Sequence, residues 1–406
     1  MHRLSSRASS ISGSATMAVS ARAAELRAAG RKVISFAAGE PDFPTPAHIV
    51  EAAARASADP RFHRYTPSGG LPELREAIAA GIGSWASEPA TSANVAVTNG
   101  AKHAVFLACA VLLNPGDEVL LARPYWTTYP DAIKLNGGVP VFIATDEKAD
   151  YKLDVASLDA ALTPRTRAVI LGSPGNPTGS VYEPDELRLL AEWADRRGLW
   201  VISDEIYDHL VYGDASFVSV PDCYPAIADR CLLINGVSKT YAMTGWRVGW
   251  LAGPKDAIRA AINVISHMTS NVANVAQAAA LEALVGDQRE VDVMRHAFDR
   301  RRRTMVDALS GIWGVSCPEP RGAFYCWPDV SAILGHRVVG VDVDTASDLA
   351  QVLLDYAQVA VIPGEAFGSP THLRLSYALS DEDLVEGLSG LHRVLSDVNR
   401  PHSHVH

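Results

Sequence analysis

The sequence predicts an α/β fold in which a mostly parallel β-sheet is flanked by helices, followed by a smaller α/β region. Short apolar runs, each bounded by Gly, Pro, Asn or Asp, alternate with amphipathic stretches from about Pro46 to Val285. Strands that are apolar throughout and alternate with helices are typical of a parallel sheet covered on both faces. Of the 406 residues, 48% are hydrophobic and 20% are charged, which is enough apolar material for a large core.

The elements of the first region have clear boundaries. The predicted strands, in chain order, are NVAVT, DEVLLARP, VPVFIA, RAVILGSP, LWVISDEIY, CLLING and RVGWLAGP. The predicted helices include LPELREAIAAGIGSW, in which Pro72 suits a first helical turn, and AKHAVFLACAVLL, which is too apolar to be exposed. A third helix ends at Asn136-Gly137-Gly138, and the charged amphipathic helix PDELRLLAEWADRRG precedes LWVISDEIY.

The region after about Gly286 has a different pattern. The long helix REVDVMRHAFDRRRRTMVDAL is followed by strand-like GAFYCWPDV, a helix near TASDLAQVLLDYA, the strands VAVIP and LRLSYA, and the helix DEDLVEGLSGLHRVL. We therefore predict a large domain at residues 47–285 and a small domain at residues 286–406. The N-terminal segment, residues 1–46, is too short to fold alone and is expected to pack on the small domain. The arginine run at 300–303 is expected to face solvent.

Composition argues against several classes of function. A formal net charge of −10 and a pI near 5.7 argue against a nucleic-acid binder, which would present a basic face. No run of about 18 apolar residues occurs, so no membrane span is expected. The five cysteines form no CxxC pair and are expected to be reduced thiols in a cytoplasmic protein. No metal site is predicted.

Polar residues follow four of the predicted strands. They are Asn99-Gly100-Ala101-Lys102 after NVAVT, Gly175-Asn176 after RAVILGSP, Asp204 and Tyr207 at the end of LWVISDEIY, and Asn235 to Lys239 after CLLI. Because ligands of open α/β sheets bind at the carboxyl ends of the strands, we expect these groups to converge on one crevice. Each has a plainer interpretation alone: Asp204 as a helix N-cap, Asn176-Pro177 as a turn, and Lys239 as a side chain that reaches solvent. Those interpretations leave the convergence unexplained.

An amine, a carboxylate, a phenol and a helix N-terminus in one crevice suit pyridoxal phosphate. This cofactor needs an amine for a Schiff base, a carboxylate to keep its pyridine nitrogen protonated, and a site for its phosphate. Lys239 lies among small, weakly solvating residues, which favour its neutral, nucleophilic form. The amide groups of Gly100, Ala101 and Lys102 at a helix start suit a dianionic phosphate, and Arg247 can add a bidentate contact.

Seven motifs occur in order along nearly the whole chain, from about SATMAV to LRLSYALS. They are AAGEPDF, YTPSGGLPELREAI, PYWTTYP, SPGNPTG, SDEIY, NGVSKTYAMTGWRVG and LRLSYA. Together they resemble the class I aminotransferases of PLP fold type I, specifically the bacterial aspartate aminotransferase subgroup Ib. The resemblance implies a ping-pong, Schiff-base transfer of an amino group from an L-amino acid, with aspartate or glutamate expected, to a 2-oxo acid such as 2-oxoglutarate or oxaloacetate. It also implies a homodimer with shared active sites.

The resemblance implies a role for each residue of the site. Lys239 would be the Schiff-base lysine and the base and acid of the proton shift, and Asp204 would hold the pyridinium N–H. By the same resemblance, Tyr207 and Asn176 would bind the phenolic oxygen of the cofactor, and Trp126 would stack on its ring. The phosphate would be surrounded by Gly100, Ala101, Lys102, Ser238 and Arg247, together with Tyr65 of the partner subunit. Arg374 would bind the substrate α-carboxylate, with Gly39 and Asn176 nearby.

Side-chain specificity is implied by a few positions. Lys102 and Thr16 stand where subgroup Ib binds a distal carboxylate, whereas Ser266 stands where animal-type aspartate enzymes have an arginine from the partner subunit. Ser12 stands where members that accept prephenate tend to have a basic residue, so prephenate is disfavoured. The phosphate helix begins Gly-Ala-Lys-His instead of Gly-Gly-Lys-Gln, and Gly175 replaces the common Asn or Ser. These departures leave the amino donor open. His103 is interpreted as a tolerated helix residue, with a role in the pocket as the alternative.

Two kinds of alternative are compatible with parts of the pattern. One is a different reaction on the same scaffold: a broad-specificity or aromatic aminotransferase, or a C–S lyase or eliminase, which would keep Lys239, Asp204 and Arg374. The lyase would need no second oxo acid. The other is nucleotide binding at GVSKT, which the spacing rejects because a phosphate loop has Gly, and not Ser238, directly before the lysine.

Overall fold

The structure, a computed structural model, describes residues 5, 9, 11, 13 and 15–398. The prediction at Ser12 therefore lies outside the described residues. The strands are β1 (Ile34–Ser35), β2 (Ser84–Trp85), β3 (Glu88–Pro89), β4 (Val95–Thr98), β5 (Glu118–Arg123), β6 (Val139–Ala144), β7 (Thr166–Gly172), β8 (Trp200–Asp204), β9 (Cys231–Gly236), β10 (Gly249–Ala252), β11 (Tyr325–Cys326), β12 (His336–Val338), β13 (Val341–Val343), β14 (Val359–Ala360), β15 (Ile362–Pro363) and β16 (Leu373–Ser376).

Seven strands form the central sheet, in the order β4-β10-β9-β8-β7-β5-β6. The strands from β9 through β6 pair in parallel, whereas β10 is antiparallel to both of its neighbours. This confirms the predicted, mostly parallel sheet. Since all of its parallel strands end at the same edge, the polar groups that follow them are brought together there.

Alternate residues of each central strand enter two different hydrophobic clusters. Val169 and Leu171 of β7 belong to one cluster, whereas Ile170 between them belongs to the other. The side chains of a strand point alternately to its two faces, so both faces of the sheet are covered. That is why these strands are apolar along their whole length rather than at every second position.

The helices cover the two faces of the sheet and build the rest of the fold. They are α1 (Ala15–Ala28), α2 (Ala47–Ala58), α3 (Pro72–Ile82), α4 (Ala101–Leu112), α5 (Thr128–Leu135), α6 (Val155–Ala161), α7 (Pro184–Arg196), α8 (Val220–Cys223), α9 (Lys255–Met268), α10 (Asn274–Val285), α11 (Arg289–Ser310), α12 (Ala346–Val352) and α13 (Asp381–Leu395). Pro72 starts α3 as predicted, but the helix ends before Gly83, whose φ of 77° interrupts it. Within the described part of the chain, no helix is long and apolar enough to cross a membrane.

The C-terminal region has its own small sheets. Strands β11, β16 and β15 form an antiparallel sheet, and β1 pairs in parallel with β14. The stretch GAFYCWPDV contributes only the two-residue strand β11, so less of it is extended than its composition predicts. The domain boundaries near residues 46 and 285 stay predictions.

The prediction that the arginine run at 300–303 faces solvent is wrong for two of its members. Arg301 and Arg302 are only 7% and 3% exposed. Arg301 donates to Asp42 at 2.9 Å, and Arg302 donates to Asp299 at 2.7 Å. Successive residues of a helix are about 100° apart, so four in a row cannot share one exposed face. The inward pair is neutralised by carboxylates.

Candidate active site

A cleft of about 1100 Å³ opens at the carboxyl ends of the parallel strands. Most of the predicted site residues line it: Thr16, Gly39, Ala101, Lys102, Trp126, Asn176, Asp204, Tyr207, Ser238, Lys239, Arg247 and Arg374. Gly100 lies directly beside it, against the Arg247 guanidinium. Tyr65 is not among the lining residues.

Lys239 follows β9, and its amine is held by a backbone carbonyl. The Nζ atom donates to the Gly39 carbonyl oxygen at 2.5 Å and lies 5.8 Å from the ring centre of Phe324. Burial lowers the pKa of Lys239 to about 8; the Glu40 carboxylate opposes this shift and the Arg374 charge adds to it. A pKa near 8 leaves a useful neutral fraction at neutral pH, so this amine can serve as a nucleophile and as a base.

Asp204 ends β8 and is 4% exposed. Its Oδ2 accepts a hydrogen bond from the Tyr129 hydroxyl at 2.7 Å, and its Oδ1 accepts one from the backbone N–H of Ile206 at 3.3 Å. Burial raises the pKa of Asp204, whereas these hydrogen bonds and the charge of Lys239 lower it. A turn follows β8, so the interpretation of Asp204 as a helix N-cap is wrong. A cationic group placed against this carboxylate would stabilise its ionised form.

The cleft also contains groups arranged for an anion. Gly100 is the N-cap of α4 with φ of 80°, and any side chain at this position would collide with the Arg247 guanidinium. The backbone N–H of Ala101 lies in the first turn of α4, where it has no intrahelical acceptor. Arg247 donates to the carbonyl oxygens of Thr244 and Asn99, at 2.7 and 3.3 Å. Because both acceptors are neutral, the charge of Arg247 remains available to an anion at the helix N-terminus.

Arg374 is a cation on β16 that is only 3% exposed. Its Nη2 donates to the Ala37 carbonyl oxygen at 3.0 Å and its Nη1 to Asn176 Oδ1 at 3.2 Å. Its guanidinium carbon lies 4.4 Å from the ring centre of Tyr325, and its Nε has no hydrogen-bond partner among the described residues. A guanidinium that is buried with only neutral partners suits a carboxylate ligand.

Lys102 lies near the aromatic side of the cleft. Its Nζ is 5.4 Å from the ring centre of Trp126, which in turn meets Tyr129 edge to face at 5.3 Å. Burial lowers the pKa of Lys102, and the charge of Arg247 lowers it further. Thr16, on α1, lines the same cleft. The structure therefore places both residues of the predicted distal-carboxylate site around one cavity.

Two of the departures from the family motif, His103 and Gly175, have local structural roles. Nδ1 of His103 accepts a hydrogen bond from the backbone N–H of Asn99 at 3.2 Å, just before α4. Burial lowers the pKa of His103, which keeps the imidazole neutral and able to accept this bond. His103 is not among the residues that line the cleft. Gly175 sits in a tight loop, where a Cβ would lie 3.0 Å from the Thr178 hydroxyl.

Tyr129, Tyr325 and Glu40 are among the lining residues that sequence reasoning missed. The Tyr129 hydroxyl donates a hydrogen bond to Asp204. The sequence feature that could have identified Tyr129 is its position three residues after Trp126 in PYWTTYP. Tyr325 lies with its hydroxyl 3.0 Å from that of Tyr207, but GAFYCW carried only a strand signal. Glu40 belongs to AAGEPDF and accepts a hydrogen bond from the Thr244 hydroxyl at 2.7 Å.

Tyr65 is separated from the other predicted residues of its own chain. Its side chain is 89% exposed, the highest value of the exposed large apolar and aromatic residues. An exposed phenol on a single chain is compatible with a role in a partner's site. That role stays a prediction.

Comparison with known proteins identifies the family of this chain. Residues 31–391 match the model of the family "Aminotransferase class I and II". An aspartate aminotransferase of Streptomyces avermitilis is 55% identical, over 97% of both chains. A probable aspartate/prephenate aminotransferase of Aquifex aeolicus is 44% identical, over 97% of this chain and 99% of the relative. The structure of Thermus thermophilus aspartate aminotransferase with maleate has a TM-score of 0.90 at 39% identity, over 97% of this chain and 100% of that one. This chain belongs to the class I and II aminotransferases and is an aminotransferase of fold type I.

Proposed function

We propose that this aminotransferase uses pyridoxal 5′-phosphate to move the amino group between L-aspartate or L-glutamate and a 2-oxo acid such as 2-oxoglutarate or oxaloacetate. The two half-reactions alternate in a ping-pong cycle. The observation that carries the proposal is that one cleft contains both Lys239, with a pKa near 8, and the buried carboxylate of Asp204. Membership of the family implies the same cofactor.

The residues of the cleft fit this cofactor at three places. Lys239 offers the amine, Asp204 offers a carboxylate for the ring N–H, and Gly100 lets Arg247 approach the N-terminus of α4, where a dianionic phosphate is favoured. Trp126, Asn176, Tyr207 and Ser238 line the same cleft and keep the roles inferred for them. When bound, pyridoxal phosphate supplies an aldehyde carbon for the amine and a ring that stabilises negative charge at the substrate α-carbon.

The chain itself binds the substrate and moves its proton. Arg374, with Asn176, binds the α-carboxylate and thereby orients the amino acid. The neutral Nζ of Lys239 accepts the α-proton and later releases it. Asp204 holds a proton on the ring nitrogen by staying ionised, and the hydrogen bond from Tyr129 supports that ionised form.

A dicarboxylic substrate is supported by Lys102, a further cation that lines the cleft. Lys102 and Thr16 line the same cavity as Arg374, so the two carboxylates of aspartate would meet separate cations. The Thermus relative is described with maleate, which is itself a dicarboxylate. Because the Aquifex relative is named for prephenate as well as aspartate, prephenate belongs in any test of specificity.

A homodimer with shared sites is supported by what one chain leaves exposed. In the single chain Arg247 is exposed to solvent, and Tyr65 projects from the surface with 89% exposure. We propose that Tyr65 of each chain completes the phosphate site of the partner. We also propose a cytoplasmic enzyme, since all five cysteines are free thiols.

A screen of half-reactions tests the proposal. Cofactor-loaded protein is mixed with single amino acids or prephenate-derived donors, without an oxo acid, and the cofactor absorbance is followed. Aspartate and glutamate should convert the cofactor fastest. Lys239→Ala should lose the visible absorbance that requires the lysine and nearly all turnover, whereas Lys255→Ala, which removes an exposed lysine of α9, should behave as wild type. Turnover of aspartate with 2-oxoglutarate by Lys239→Ala would refute the assignment.

A further inference from the structure

The segment that presents Tyr65 is short and irregular. Residues 62 and 63 end a one-turn helix, and residues 64–66, which lie between that helix and Pro67, form neither helix nor strand. Tyr65 itself points outward, with 89% of its side chain exposed. An exposed side chain on an irregular segment has a defined direction only if the backbone on both sides of it is held.

Asn274 holds that backbone on both sides. It begins α10 and is only 7% exposed. Its Nδ2 donates to the carbonyl oxygen of Phe62 at 3.0 Å and to that of Arg64 at 2.6 Å. Its Oδ1 accepts from the hydroxyl of Thr66 at 2.6 Å. One buried amide therefore ties together the residues immediately before and after Tyr65.

The remaining hydrogen-bonding capacity of Asn274 is also used. Its Oδ1 accepts a further bond from Asn271 Nδ2 at 3.2 Å, so both amide protons and both acceptor sites have partners. A fully satisfied buried amide specifies one arrangement, because any other leaves buried polar groups without partners. Replacing Asn274 by Ala would leave two partly buried carbonyls and one hydroxyl without this partner.

We propose that Asn274 is a positioning residue for the active site of the partner subunit: it fixes residues 62–66 so that Tyr65 reaches the partner's phosphate site. This inference rests on the proposed function of Tyr65 in a shared site. It predicts that Asn274 acts on the site to which its own chain contributes Tyr65, and not on the site that contains its own Lys239.

Heterodimers separate these two sites. Two differently tagged chains are co-expressed and the mixed dimer is purified, with Lys239→Ala in one chain so that only the other chain has a working site. In the trans arrangement, Asn274→Ala is in the chain that carries Lys239→Ala. In the cis arrangement, it is in the chain with the working lysine. The dissociation constant of pyridoxal phosphate at the working site is measured from the absorbance that requires Lys239.

We expect cofactor binding about tenfold weaker in the trans arrangement and unchanged in the cis arrangement, relative to the dimer with Lys239→Ala alone. Equal losses in both arrangements, a loss in cis alone, or no loss would overturn the inference. Gln277→Ala is the matched control. It removes a fully buried amide of the same helix, bonded to Leu71 N–H and the Val272 carbonyl, and should not distinguish cis from trans.

Two further measurements separate this inference from the proposed function. In the apoprotein, hydrogen exchange at residues 62–66 should be faster in Asn274→Ala than in wild type and unchanged in Tyr65→Phe; unchanged exchange in Asn274→Ala would overturn the inference. Tyr65→Phe is then placed in the same two arrangements. If it has no effect in trans, the shared site itself is refuted. If it weakens cofactor binding in trans and Asn274→Ala does not, only the role of Asn274 fails.

Discussion

Glu205 lies directly after Asp204, yet its carboxyl group is buried in the protein interior. It is 3% exposed and is not among the residues that line the cleft. Its Oε1 accepts hydrogen bonds from the hydroxyls of Ser203 and Ser219, both at 2.8 Å, and its Oε2 lies 3.0 Å from the Ser219 hydroxyl. Burial is the largest effect, and it raises the pKa of Glu205 from 4.5 to about 8.

The raised pKa determines the sign of a stability effect. When folding raises the pKa of a carboxyl group, the folded state tolerates the protonated form better than the ionised form. As pH rises from 4.5 towards 8, Glu205 therefore destabilises the folded state increasingly relative to the unfolded chain. With these values the penalty is about 1 kcal/mol at pH 5 and about 4 kcal/mol at pH 8. Glu205→Gln keeps the shape, leaves Oε1 as the acceptor and cannot ionise. We therefore expect it to stabilise the protein at pH 8 and to have little effect at pH 5.

Thermal unfolding of the apoprotein at pH 5 and pH 8 measures this difference. Glu118→Gln is the matched control, since Glu118 is also only 4% exposed but its pKa is lowered, first by the hydrogen bond from Thr163 and then by Arg165. That variant should lower the unfolding midpoint at pH 8, opposite to Glu205→Gln. A lower midpoint for Glu205→Gln at pH 8, or an equal change at both pH values, would mean that Glu205 is ionised in the folded protein.

Two further substitutions test the cleft. Lys102→Ala should reduce kcat/KM for aspartate and glutamate by about a hundredfold, because a distal carboxylate loses its cation, and leave alanine and phenylalanine nearly unchanged; equal losses for all four donors would eliminate that role. Tyr129→Phe removes the 2.7 Å hydrogen bond to Asp204 and should lower kcat by about tenfold, with KM for aspartate little changed; an unaltered kcat would show that the bond does not support Asp204.

The location of the site followed from the sequence because strand order and strand direction determine it. Lys239, Asp204 and Asn176 each follow an apolar run, and parallel strands bring such positions to one edge whatever the details of packing. Arg374 could be assigned only through the resemblance, since it lies on a small sheet far away in sequence. Its burial among Ala37, Asn176 and Tyr325 depends on tertiary contacts that no local pattern carries.

Residues that act through another residue were the harder ones to find. Tyr129 and Asn274 have no pattern that separates them from ordinary core positions. Tyr129 acts through one hydrogen bond to a residue 75 positions away, and Asn274 acts through three bonds to residues more than 200 positions away. The arginine run at 300–303 failed for the opposite reason. Its charge suggested a solvated face, but helical geometry turns two of the four side chains inward. Arg301 meets the distant Asp42, whereas Arg302 meets Asp299 of its own helix.

Buried cations that stabilise the fold have carboxylate partners within the described part of the chain, whereas those that bind ligands do not. Arg301 is buried and paired with carboxylates, as a buried charge in a stable structure must be. Arg374 is equally buried, yet its partners are a carbonyl and an amide oxygen, and Lys239 is held by one carbonyl. An unpaired buried cation is unfavourable for the fold alone, so its retention indicates that a counter-charge arrives from outside. Lys239 differs again, because a permanent carboxylate partner would keep it protonated, whereas its chemistry requires it to take up and release a proton.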